Sequence, residues 1–188
     1  AKLGAIGGAL LLMAFASIGL TLWVTWQLEG GAAAVNEAGR MRMQTWRMAQ
    51  TLARADAQQI AGLAAQFDQS VNVLRTGDPA RPLLVPHDAL SQQAFAAVQR
   101  DWLELKARWT ALPGPGAELS GQQADAFVVR IDTFVSAIEH HLSRLTAILN
   151  AVQFVMVALT IGSAIALLYS AWLFIFNGEY GLLNNILG

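Results

Sequence analysis

The sequence predicts an all-α membrane protein: two transmembrane helices joined to an extracytoplasmic up-down four-helix bundle. Three observations predict it. The stretches Leu3 to Leu28 and Leu145 to Gly178 carry no charged residue, and each exceeds the roughly 20 apolar residues that cross a bilayer. The region between them is rich in Ala, Gln and Leu and is broken in only a few places, which favours helices over strands. Its apolar residues recur at steps of three and four, the period of one helical face. The expected organisation is a first span over 3–28, an extracytoplasmic four-helix domain over 29–144, a second span over 145–176 and the start of a cytoplasmic linker over 177–188.

The first helix is expected to leave the membrane, pass Gly30-Gly31 and run to about Leu52. Its uncharged run is longer than the 7 to 15 or so residues of a signal peptide's apolar region, and Trp23 and Trp26 suit an interfacial anchor. A second helix is expected from about Asp56 to Arg75. Its start rests on Asp56 with Gln59 three residues on, an N-cap pattern. An unbroken helix over 31–76 would also outreach its partners at about 1.5 Å per residue.

Thr76-Gly77-Asp78-Pro79-Ala80-Arg81-Pro82 breaks the chain, and Pro86-His87-Asp88 opens a third helix ending near Leu112. Pro113-Gly114-Pro115-Gly116 forces the next turn. Ser120 with Gln123 reads as a capping box, after which Phe127, Ile131, Phe134, Ile138 and Leu142 make a stripe leading into the second span. Trp102 and Trp109, seven apart, are expected to cover the core with their indole N–H groups at its edge. Met41, Met43 and Met48 read as adaptable core filler.

Of the twelve Lys and Arg residues, Lys2 precedes the first span and eleven lie between the spans, beside twelve acids. That region is too long for the positive-inside rule to govern, and a long domain translocates largely regardless of charge, so both termini are placed in the cytoplasm and the intervening domain outside it. The near-neutral balance leaves no basic surface for nucleic acid. The chain has no cysteine, which removes disulfides and thiolate chemistry. His140 and His141 are adjacent, point about 100° apart on a helix, and lack the usual spacing of paired metal ligands. No phosphate loop, nucleophile with a base, or paired catalytic carboxylates occurs, so the segment is not read as an enzyme and no cofactor or metal is expected.

One residue stands out. Val35, Ala38, Arg42, Thr45, Ala49 and Leu52 share one side of the first helix, a small, apolar pairing stripe interrupted by an arginine. Arg40 and Arg47 fall about 140 to 160° around the helix from Arg42. Arg40 has Glu37 three residues before it, whereas no acid lies three or four residues from Arg42. If the stripe meets its own copy across a two-fold axis, two guanidinium groups converge and require an anion or a carboxylate. A small planar oxyanion suits two such forks. The bland alternative is an ion pair from Arg42 to an acid on another helix. Arg47 is read as structural, anchored to a carboxylate such as Glu104, Asp132 or Glu139.

The segment Val35-Asn36-Glu37-Ala38-Gly39-Arg40-Met41-Arg42-Met43-Gln44-Thr45-Trp46-Arg47-Met48-Ala49 resembles the P-box of the nitrate/nitrite sensor histidine kinases, with Asn36, Ala38, Gly39, Arg42, Met43, Gln44 and Arg47 matching its pattern. Asp101-Trp102-Leu103-Glu104-Leu105 and Ile131-Asp132-Thr133-Phe134-Val135 extend the likeness. The resemblance implies a homodimeric sensor that binds nitrate or nitrite between the two first helices and acts on a cytoplasmic effector, such as a kinase with its response regulator. It places the anion on Arg42 and Gly39, with support from Asn36, Met43, Thr45 and Arg47. Arg40, Trp46 and Glu37 depart from the pattern, and Glu37 opposes an anion unless it pairs with Arg40 away from the site. The C-terminal tail lacks the Pro-Leu that opens a HAMP helix pair, so a chemoreceptor or cyclic-nucleotide output, and a ligand-free dimerisation or anchoring module, remain open.

Overall fold

The structure is a computed structural model that describes residues 2–54, 56–78, 80–111 and 117–176. Four helices order the described chain: α1 (Lys2–Leu52), α2 (Ala57–Thr76), α3 (Ala89–Thr110) and α4 (Ala117–Phe176). The expected Pro113–Gly116 turn and the 177–188 linker lie outside the described residues. Both α1 and α4 are long and apolar enough to cross a membrane. The chain divides into two compact units, one holding 1–22 and 147–188, the other Trp23–Thr146.

The first unit pairs the N-terminal part of α1 with the C-terminal part of α4. Leu12, Phe15, Leu22, Phe154, Ile165 and Leu168 are exposed on its outer surfaces, the arrangement a hydrocarbon solvent favours. Gln153 Nε2 donates across the pair to Thr21 Oγ1 at 3.4 Å, and Thr21 in turn donates to the Ser17 carbonyl at 2.8 Å.

The second unit is a four-helix bundle. Its ends are set by local chemistry that the sequence announces. Asp56 accepts from the Gln59 N–H at 3.0 Å and caps α2, satisfying a donor that the first helical turn leaves free. Gly77 ends α2 at φ 81°, a left-handed backbone that glycine adopts without steric cost. Asp88 caps α3 by accepting from the Ser91 N–H at 3.1 Å. Burial works against ionisation of Asp88, but Ser91 and the His141 imidazole outweigh it and hold its carboxyl below the usual range.

The core runs through Ala38, Met41, Met48, Phe67, Trp102, Phe127, Ile131, Phe134 and Ile138, all buried. Phe67 stacks on Trp102 with ring centroids 4.0 Å apart. Both tryptophans are buried with their polar edges satisfied: Trp102 Nε1 donates to Asp68 at 2.8 Å and Trp109 Nε1 to Gln123 at 2.7 Å. Asp68 also takes Lys106 at 2.6 Å. The Gly30-Gly31 pair lets two layers close on α1: a Cβ at Gly30 would sit 2.8 Å from Leu84 Cγ, and one at Gly31 2.7 Å from Leu142 Cδ1.

Three expectations are corrected. Ser120 is no N-cap, because α4 already begins at Ala117; its buried hydroxyl bonds the Ala49 carbonyl on α1 at 3.4 Å, while Gln123 serves Trp109. Met43 is no core filler but is 48% exposed. The Val35-to-Leu52 stripe packs into its own bundle: Ala38, Thr45, Ala49 and Leu52 are buried by the chain's other helices, so it does not wait for a second copy.

Candidate functional site

Arg42 lies on the boundary between the two faces of α1. At about 100° per residue, Ala38, Thr45 and Ala49 follow it on one side and Trp46, Gly39, Met43, Asn36, Arg47 and Arg40 on the other. The first three are buried; of the second group only Gly39 is even half-buried. The guanidinium therefore emerges at the rim of the core, 40% exposed. Its Nη1 donates to Asp132 Oδ1 on α4 at 2.7 Å.

Gly39 is one turn before Arg42. A Cβ placed on it would meet nothing nearer than Arg42 Nη2 at 3.8 Å, so the glycine opens the space beside the guanidinium. Arg42 spends one nitrogen on Asp132 and keeps its remaining N–H donors for a second acceptor. The fork geometry of those donors matches a planar oxyanion.

Glu37, whose charge opposes an anion, is turned away. It is five residues from Arg42, hence about 140° around the helix, and is only 2% exposed. Arg40 Nη1 reaches its Oε2 at 3.2 Å and Arg81 Nη2 at 3.5 Å. Arg81 is itself braced by Asp78 at 2.9 Å. The Ala80 N–H, together with Arg81, holds the Asp78 carboxyl below its usual range. A buried carboxylate between two guanidinium groups exerts little field on the opposite face of α1.

The other expected residues divide. Thr45 is fully buried and donates its hydroxyl to the Met41 carbonyl at 2.9 Å, which leaves it no free donor for a ligand. Asn36, Met43 and Arg47 are exposed on the face next to Gly39. Arg47 meets none of the three proposed carboxylates: Asp132 holds Arg42, Glu104 holds Arg108 at 3.0 Å, and no ion pair joins Arg47 to Glu139 among the described residues. Asp132 is the site residue that sequence reasoning assigned to the wrong arginine. The signal for it is the antiparallel register of α1 and α4. Gly31 packs on Leu142, and eleven residues further along α1, ten residues back along α4, Arg42 meets Asp132.

The Arg42 segment also falls within a recognised domain. The family of type IV pili methyl-accepting chemotaxis transducers, in its N-terminal PilJ domain, matches residues 23–128. The chain belongs to this family. The matched PilJ region covers the bundle part of α1, with Gly39 and Arg42, then α2, α3 and the start of α4, and stops just short of Asp132. No curated protein matches the chain. PilJ membership makes this a membrane-anchored signalling receptor of the chemotaxis type; nothing in the match indicates a nitrate sensor or a histidine kinase.

Proposed function

We propose that this PilJ-type chain is the sensor portion of a transducer, placed with its bundle in the periplasm and its ends in the cytoplasm, that binds a small planar oxyanion such as nitrate or nitrite at Arg42. The observation that carries the reading is the half-exposed Arg42 guanidinium beside the open flank of Gly39, with the nearest acid on its own helix turned inward and neutralised. The strip of exposed Asn36, Met43, Trp46 and Arg47 around half-buried Gly39 is where a second copy docks, bringing two Arg42 side chains near one anion. One anion then offsets a repulsion that would otherwise oppose the dimer.

The ligand competes with Asp132 for the guanidinium. Because Asp132 is on α4 and Arg42 on α1, taking Arg42 from Asp132 releases a tether between the two helices that continue into the apolar spans. A relative shift on the order of 1 to 2 Å is a reasonable size for such a signal, biased only by the ligand's differential affinity for the two arrangements. The output partner is a cytoplasmic effector of the chemotaxis type, in place of the kinase first expected.

Calorimetric titration of nitrate into the purified full chain, beside Arg42→Ala, tests this. One site per dimer, abolished by the substitution, is the expected result. Binding that survives in Arg42→Ala sinks the site, and no binding to either protein sinks nitrate and leaves the dimerisation module as the reading.

A further inference from the structure

The α2–α3 connection folds back onto α1 just beyond Trp26. The Leu84 N–H donates to the Gly30 carbonyl at 3.3 Å, and the Leu84 side chain fills the space that a Cβ on Gly30 would need. This leaves a cleft of about 480 Å³ whose walls include Trp26, Leu83 and Phe95 and whose polar positions include Arg75, His87 and Gln99. Leu83 and Phe95 are buried, so the floor is apolar. A second space of about 460 Å³ is lined by Trp26 with Thr76, Gly77, Arg81 and Leu84.

Among the described residues that line the cleft, Arg75 carries a positive charge and none is an acid. Arg75 is exposed and, among the described residues, its side chain makes one hydrogen bond, to the neutral Asn72 amide oxygen at 2.9 Å. His87 is exposed and has no hydrogen bond or ion pair among the described residues. The acids of the α2–α3 connection are committed, Asp78 to Arg81 and Asp88 to His141, and Glu29, one turn beyond Trp26 on α1, is exposed but does not line the cleft. The position along α1 is equally specific. Trp26 stands near the end of the apolar run Leu3 to Leu28, and tryptophans at such a point lie at the headgroup level of a bilayer. The cleft therefore opens where phosphates and the first methylenes of lipid chains are found.

We propose that this cleft holds one anionic phospholipid of the adjacent leaflet, its phosphate between Arg75 and His87 and the upper part of an acyl chain over Leu83 and Phe95. An amphiphile with an anionic head satisfies both the apolar floor and the cationic rim, whereas a small inorganic anion leaves the floor empty. The bilayer supplies that ligand at a high local concentration, so a modest intrinsic affinity fills the site. The bound lipid would fasten the α2–α3 connection to the membrane surface and make the membrane-proximal end of the bundle responsive to lipid charge.

The absence of cysteine allows a single probe: Gln99→Cys labelled with bimane, in the full chain reconstituted into nanodiscs. Brominated phosphatidylglycerol is titrated against brominated phosphatidylcholine at equal mole fractions, with helicity monitored by circular dichroism. The expected result is preferential quenching by phosphatidylglycerol. In Arg75→Ala/His87→Ala that preference should fall on the order of fivefold, the factor for losing one basic contact at a membrane surface. Both side chains are exposed, so the double variant should keep its helicity. Equal quenching by the two lipids, or a preference unchanged in the double variant, overturns the proposal. So does a bimane shift produced by inorganic phosphate in phosphatidylcholine-only discs to the extent that phosphatidylglycerol produces it, because the source is then a soluble phosphate.

Discussion

Asp132 on α4 holds Arg42 on α1 at 2.7 Å, while both side chains remain about half exposed, at 49% and 40%. A pair this wet contributes on the order of 0 to 1 kcal/mol, weak enough for an anion to displace and strong enough to hold the guanidinium while the site is empty. If Asp132 is the internal competitor, Asp132→Asn should tighten nitrate binding by up to about fivefold, the equivalent of roughly 1 kcal/mol. Titration calorimetry on the full chain reads this directly. A loss of binding in Asp132→Asn would mean that the carboxylate aims Arg42 at the ligand instead of competing with it.

Glu37 makes the opposite case, a carboxylate that is buried and lives on its partners. Removing Arg40 and Arg81 together strands its charge, and breaking a buried ion pair costs about 3 to 5 kcal/mol. Arg40→Ala/Arg81→Ala should therefore lower the thermal midpoint clearly, each single variant should lower it much less, and adding Glu37→Gln to the double variant should recover most of the loss. Thermal unfolding followed by circular dichroism in detergent measures the series. Failure of Glu37→Gln to rescue would locate the damage in lost packing instead of stranded charge.

The glycines separate packing from propensity. Gly62 is exposed within α2, and a methyl group added there would meet nothing within 4 Å, so Gly62→Ala should stabilise by about 0.5 to 1 kcal/mol through helix propensity alone. Gly30→Ala gains the same propensity but drives its methyl into Leu84, an overpacking that costs about 1 to 3 kcal/mol, for a net loss of about 1. Shortening the obstacle in Gly30→Ala/Leu84→Ala should then cost less than the two single losses added together. Simple additivity in thermal unfolding would count against the close approach.

What could be read in the sequence followed the range of the physics. Asp56 with Gln59, and Gly77 after α2, are local signals in which the donor and acceptor lie within one turn, and the structure realises both. Ser120 with Gln123 has the same spelling, yet α4 begins three residues earlier and both side chains serve other helices; a cap pattern does not say where a helix starts when a good helix former precedes it. The Val35-to-Leu52 stripe shows a related limit, because periodicity marks a face to be covered but is identical whether the cover is the chain's own bundle or a second copy. The Arg42–Asp132 contact joins residues separated by 90 positions, so nothing near either one encodes it, and only the antiparallel register of α1 and α4 brings them together.

Asp88 links pH to the start of α3. Its carboxyl is held below the ordinary value of 3.8 in the folded chain, so the unfolded state binds its proton more readily. The stabilisation is fully present above about pH 4 and is lost as pH falls through the lower folded value. Asp88→Ala removes the cap and should cost about 0.5 to 2 kcal/mol at neutral pH. Asp88→Asn keeps a good capping oxygen but cannot titrate, so its thermal midpoint should lie near that of the parent in acid and fall below it at neutral pH, where the parent has the ionised carboxylate facing His141 at 3.2 Å. Thermal unfolding of the three proteins from neutral pH down to about pH 3 separates the contributions. Parallel acid limbs for the parent and Asp88→Asn would show that the acid sensitivity of the bundle arises elsewhere.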